Sequence, residues 1–383
     1  MVIDPNEFEN IRPYSDEEAV MALKRVSANP LLGIISKYLF PREEATYLSE
    51  MTASVKDVTH FQWKVMYDVV TAILAKTSEG FTVSGVENIR GIKGRFLAVS
   101  NHRDIVLDPA LILYSIKDAG MDSLELCVGN NLLQNQMIED LMRSNRMITV
   151  IRGTSAREIY TSSKILSKYI RHKITSGESS VWIAQREGRT KNGFDCTEQG
   201  VLKMFDMSGD GSFVDNFCEL NLIPISISYE YEPCDARKAR ETLIRKTTGS
   251  YAKKKNEDTH SIMTGITQKK GHIHLHFGTP LTREEICYAS KFNGNDRYQA
   301  IMHIMDDRIT EGYQLYKTNY MGYDLMNGTS RFLGIKYLPE DLENFKAYVS
   351  HKLGKLESKL DYQSLEDIFL HIYGNPVCAK AKV

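Results

Sequence analysis

Between residues 80 and 280 the chain alternates short apolar runs with helix-length stretches, and few folds accommodate that alternation. The runs are FTV at 81–83, RFLAVS at 95–100, LELCV at 124–128, RMITVI at 146–151, SVWIA at 180–184, LIPISIS at 222–228 and HIHLHF at 272–277. Helical patterns fit 109–118, 131–142 and 155–174 between them. Strands that alternate with helices imply an α/β fold with a mostly parallel central sheet flanked by helices. The ends read as helical. Ser15 ahead of Asp16, Glu17 and Glu18 is a capping-box start. Asn29-Pro30 breaks that helix. The apolar segment 31–40 follows, and 60–75 repeats its apolar residues at helical spacing. After Pro280, helices are expected at Thr282, over 296–316, over 338–359 and over 364–372. The expected organisation is an N-terminal helical region (1–79), an α/β domain (80–285) and a C-terminal helical extension (286–383).

Composition narrows the function classes. Lys plus Arg number 48 against 49 Asp plus Glu, which lacks the basic excess of a dedicated nucleic-acid binder. No two of the six cysteines lie closer than 16 positions, so no zinc or redox spacing exists. The opening MVIDPNEFEN is acidic and has no apolar core of a secretory signal. No run approaches a membrane span. The expectation is a cytoplasmic protein, with peripheral contact at the inner face of the membrane left open. Segment 31–40 either packs on the α/β domain or lies on a membrane surface. The chain has no GxSxG elbow, P-loop or GxGxxG fingerprint.

The segment AVSNHRDIVLD over 98–108 carries the most chemistry. A buried strand ends at Ser100, and Asn101 and His102 follow in the loop beyond it. Open α/β sheets place ligands and reactive groups at that edge. Asp104 and Asp108 come next. A histidine with a carboxylate is the minimum apparatus of a general base, because the carboxylate fixes the tautomer and stabilises the imidazolium. The competing reading is a histidine that only caps the helix near Pro109.

Three later segments follow in a particular order: Val150-Ile151-Arg152-Gly153, then Ala184-Gln185-Arg186-Glu187-Gly188-Arg189-Thr190, then Ile223-Pro224-Ile225-Ser226. With the Asn101-His102-Arg103-Asp104…Asp108 block, they resemble the four blocks of the glycerolipid acyltransferase family, which includes glycerol-3-phosphate and lysophosphatidate acyltransferases. Phe277-Gly278-Thr279-Pro280-Leu281 resembles the strand end that follows those blocks. The resemblance implies direct transfer of an acyl group from acyl-CoA or acyl-carrier protein to a lipid acceptor. It implies His102 as base, no covalent intermediate and no cofactor. It implies that Asn101, Arg103, Arg152, Glu187, Gly188, Arg189, Thr190 and Pro224 shape the substrate site. Guanidinium groups suit phosphate, and a glycine admits close backbone approach.

Two departures stand out. The family has four residues between His and Asp, a spacing that falls on Leu107; here Asp108 is one position late and Asp104 three early. Asp108 is the favoured partner, Asp104 the alternative. The family's Thr-Arg order is inverted to Arg189-Thr190, which leaves open an acceptor without phosphate, such as an amino-acid lipid. The off-register spacing leaves open a non-catalytic lipid binder. Stretch 237–255 holds eight Lys or Arg and reads as either a docking face for anions or a solvated helix. His272, His274 and His276 share one strand face, but without a carboxylate nearby in sequence they read as a polar face, and no metal site is expected.

Overall fold

The computed structural model describes residues 5–133 and 135–381. Seven strands form one sheet: β1 (Ser78–Ser84), β2 (Leu97–Ser100), β3 (Leu124–Gly129), β4 (Met147–Val150), β5 (Ser180–Ala184), β6 (Leu222–Tyr229) and β7 (Gly271–Phe277). Their spatial order is β1-β7-β6-β2-β5-β3-β4. Every neighbouring pair is parallel except β6–β7. All seven expected runs are therefore strands of a mostly parallel sheet. The antiparallel pair arises because helices Asp235–Thr248 and Glu257–Thr267 return the chain to the end of the sheet where β6 finishes, so β7 runs back.

The sheet is covered on both faces, which is why β2 and β6 are buried at every position and read as continuous apolar runs. Leu97, Val99, Val181 and Ile183 face a core built from helices Ala156–Thr175, Gln199–Asp206 and Asp296–Gly312. Ala98, Trp182, Ile223 and Ile225 face the opposite core, which takes in Val70 and Ile73 of helix Tyr67–Thr77 and one side of helix Leu107–Asp118. Ile286, Ala289, Ile301 and Met305 belong to the first core, so helices beyond residue 285 contribute directly to packing under the sheet. A third cluster joins Ala239 and Leu243 to Phe345, Phe369 and Tyr373 near the C-terminus.

Local signals explain several helix starts. Ser15 with Glu18, Ser155 with Glu158 and Thr282 with Glu285 form reciprocal capping boxes. The pattern expected over 131–142 divides instead. A short turn covers Asn130–Leu132, and helix Gln136–Ser144 starts after Asn135, whose side chain accepts from the Ile138 amide. The pattern over 60–75 contains a wider π-type stretch at Phe61–Met66. Helix Leu31–Leu39 buries Leu32, Ser36 and Leu39 and leaves Leu31, Ile34 and Tyr38 exposed. Among the described residues no helix is long and apolar enough to cross a membrane.

Candidate active site

Beyond Ser100, at the carboxyl end of β2, residues 101–106 form a loop that enters helix Leu107–Asp118. Asp108 lies in the first turn of that helix and is fully buried. Its Oδ2 stands 2.8 Å from Nδ1 of His102. The same oxygen accepts from the backbone amides of Arg103 at 2.5 Å and Asp104 at 2.8 Å. Its Oδ1 accepts from the Tyr229 hydroxyl at 2.7 Å. Burial alone would raise the Asp108 pKa, but the bonds from His102, Asp104 and Tyr229 hold it below the usual carboxylate range. The carboxylate is therefore ionised and oriented. Asp104 does different work: its Oδ1 accepts from the amides of Val106 and Leu107 and so shapes the entry to the helix. The loop takes up the extra residue in the His–Asp spacing, and the Arg103 and Asp104 amides converge on Asp108.

His102 is 14 % exposed, and its ring meets Trp182 edge-on at 6.0 Å. With Nδ1 turned to Asp108, Nε2 is left as the nitrogen available to a ligand. A cavity of about 850 Å³ opens at this ring. It reaches around the ends of β3, β4 and β5. Leu126, Met147 and Trp182 wall it from one sheet face; Cys127, Val150 and Ile183 wall it from the other. Leu39, Phe61, Val65 and Ile73 of the N-terminal helices extend the apolar lining.

The polar part of the wall comes from the second and third sequence blocks. Arg152 pairs with Glu187 at 3.3 Å, and both are substantially exposed. Gly188 adopts φ +72°, a left-handed turn that a side chain would strain. Arg189 lines the cavity, and its buried Nη1 has no hydrogen-bond partner among the described residues. A guanidinium in a cavity wall is a natural anion contact.

Asn101, Arg103, Thr190 and Pro224 do not line this cavity. Three of them belong to a buried polar knot centred on Asp195. Asp195 Oδ2 accepts from Arg103 Nη2 at 2.5 Å and from Asn101 Nδ2 at 2.9 Å, and its Oδ1 accepts from the Thr190 hydroxyl at 2.7 Å. Arg103, 1 % exposed, also meets Glu232 at 3.1 Å and donates to the Gly193 carbonyl. Burial opposes its charge, but Asp195 and Glu232 hold it protonated. Lys238 closes the knot on Glu232 and the Arg103 carbonyl. The inverted Arg189-Thr190 pair thus sends the arginine to the cavity and the threonine into the knot. Pro224 lies within β6, opposite Val99 of β2. The β6–β7 pairing stops at Ile225 and Phe277; the Pro224 carbonyl still accepts from the Gly278 amide, and the proline, with no N–H to return, stands where that ladder ends.

Sequence reasoning missed Asp195 and Tyr229. Asp195 carried no periodic signal. Tyr229 carried one: it ends a strand on the same sheet edge as His102. Half of the eight basic residues in stretch 237–255 are ion-paired, with Lys238 on Glu232, Arg240 on Glu357, Arg245 on Glu241 and Lys253 on Asp258. His274 and His276 bond to the hydroxyls of Thr82 and Ser84 on β1. His272 does gain carboxylates, Glu230 at 2.8 Å and Glu79 at 4.0 Å, which lie far away in sequence. Glu79 is also paired with Lys269 at 2.5 Å.

Residues 80–228 match the family model described as Acyltransferase. That segment is an acyltransferase-family domain. The match spans all four blocks and ends before β7 and the 277–281 segment. No curated protein matches the chain. Among solved structures, the 1-acyl-sn-glycerophosphate acyltransferase PlsC from Thermotoga maritima is similar, with a TM-score of 0.39 and 12 % identity over 77 % of this chain and 95 % of that chain. Within the acyltransferase domain, the histidine of the first block and the arginines of the second and third share one cavity.

Proposed function

We propose that this protein moves a fatty acyl group from acyl-CoA or an acyl-carrier protein to a hydroxyl of a glycerophosphate or lysophospholipid. His102 Nε2 takes the proton of the acceptor hydroxyl while Asp108 stabilises the imidazolium. The acceptor oxygen bonds to the thioester carbonyl carbon, the C–S bond breaks, and the departing thiolate recovers the proton from His102. No acyl-enzyme forms. Arg189 and Arg152 hold the acceptor's phosphate.

The observation that carries this reading is the His102–Asp108 pair opening into a cavity with apolar walls on both sheet faces and a guanidinium at its margin. The pair and the cavity suit a lipid acyl chain brought to a general base. The Arg152 and Arg189 guanidiniums in the cavity wall favour an anionic acceptor over a neutral one.

The test is thiol release from palmitoyl-CoA and palmitoyl-carrier protein, with glycerol 3-phosphate, lysophosphatidate or no acceptor. Acceptor-dependent release is expected, reduced by roughly 10²- to 10⁴-fold in His102→Ala, the scale of a lost general base. His102→Ala that turns over at near wild-type rate would overturn the mechanism. Tight lysolipid binding with no release from any pair would point to a non-catalytic relative.

A further inference from the structure

We propose that Tyr229 is a positioning residue for this reaction: its buried hydroxyl fixes the carboxylate of Asp108 and, through it, the ring of His102. This role presupposes His102 as the base.

Three donors crowd onto Asp108 Oδ2: His102 Nδ1 and the amides of Arg103 and Asp104. All three belong to the loop that Asp108 is meant to hold, so they move with it. Oδ1 accepts from Tyr229, a donor anchored outside the loop. Tyr229 ends β6, whose backbone pairs with β2 on one side and, through Tyr229 opposite Ile273, with β7 on the other. The sheet therefore supplies a fixed point against which the carboxylate cannot rotate about its Cβ–Cγ bond. Tyr229 is 1 % exposed and Asp108 is fully buried, so water does not compete for that oxygen. Burial and the neighbouring carboxylate push the phenol well above its ordinary pKa, and it remains a donor at every working pH. The ring packs among Ile227, Ile273 and Leu275, a task phenylalanine would perform as well. The hydroxyl is what packing leaves unexplained and Asp108 explains. Partners behind a reacting side chain govern its orientation, and small losses of alignment are costly in rate.

The experiment compares wild type, Tyr229→Phe, Asp108→Asn and the double variant in the thiol-release assay, below the melting temperature of each. Tyr229→Phe is expected to lower kcat roughly tenfold with little change in KM for either substrate, since one unmet hydrogen bond in a dry site is of that order. In the Asp108→Asn background the same change should cost less than about twofold, because the group it positions is gone. Fluorotyrosine at 229, which keeps the O–H, should restore kcat even if Tyr229→Phe folds poorly. A kcat for Tyr229→Phe within twofold of wild type, additive losses in the double variant, or no rescue by fluorotyrosine would each overturn the positioning role. Those results leave the base assignment standing if His102→Ala is inactive. An active His102→Ala would remove both.

Discussion

Replacing Asp195 by alanine tests whether the buried knot holds the first and third blocks together. Asp195 accepts three hydrogen bonds, from Asn101, Arg103 and Thr190, and its side chain is 7 % exposed. Its removal leaves Arg103 buried with Glu232 as its remaining carboxylate. Breaking a buried ion pair by deleting one partner costs about 3–5 kcal/mol. Glu232 remains as a counter-charge but is shared with Lys238, so the expected loss is at least about 3 kcal/mol. At about 2–4 °C per kcal/mol for a large domain, the melting temperature should fall by at least roughly 6–12 °C. Glu187→Gln is the internal control. It also removes a carboxylate from an arginine, but that pair is 39 % and 68 % exposed, and its loss should cost under about 1 kcal/mol. Differential scanning calorimetry of the two variants beside wild type reads both numbers. An Asp195→Ala melting temperature within about 2 °C of wild type, or a drop no larger than that of Glu187→Gln, would refute the claim that this knot carries the loop.

Two further outcomes follow from single groups. Arg189→Met should raise KM for a phosphate-bearing acceptor by roughly tenfold to a hundredfold, the worth of a charge-assisted hydrogen bond, while a neutral acceptor is unaffected; equal effects on both acceptors would remove Arg189 from phosphate binding. Burial pushes the Asp306 pKa up to about 6, although Thr197 donates to its Oδ1 from both backbone and hydroxyl. A raised folded pKa means the native state binds more protons than the unfolded chain, so this group lowers stability as pH rises from about 4 to 6 and the penalty is complete above that window. Asp306→Asn keeps an Oδ1 acceptor and loses the charge. It should be more stable than wild type at pH 7.5, with the gain fading towards pH 4 in urea titrations. A gain independent of pH would show that the buried charge is not its cause.

The candidate site was legible in proportion to how local its signals are. His102 follows a strand of four buried residues, so its place at the sheet edge is written in the run before it. Arg152 likewise follows β4, and the segment of Arg186 to Arg189 follows β5. Helix starts at Ser15, Ser155 and Thr282 were equally local, because a capping box closes within four residues. The choice between Asp104 and Asp108 was not local. Both lie within reach of His102 along the chain, and the turn into helix Leu107–Asp118 decides which carboxylate faces the ring.

By itself the sequence determined the layer architecture and the edge at which chemistry gathers. Those follow from strand and helix periodicity, and periodicity acts over a few residues. The tertiary structure alone decided which polar side chains meet. Asp195 reaches Asn101 across 94 positions and Tyr229 reaches Asp108 across 121. No pattern in the chain records such pairings, because each depends on two segments being brought together by the sheet. The same holds for Arg189 and Thr190. They are adjacent in sequence, yet one faces the cavity and the other is buried in the knot. Thr190 is tied to the first block by its amide, which donates to the His102 carbonyl, a contact that the sheet brings about across 88 positions.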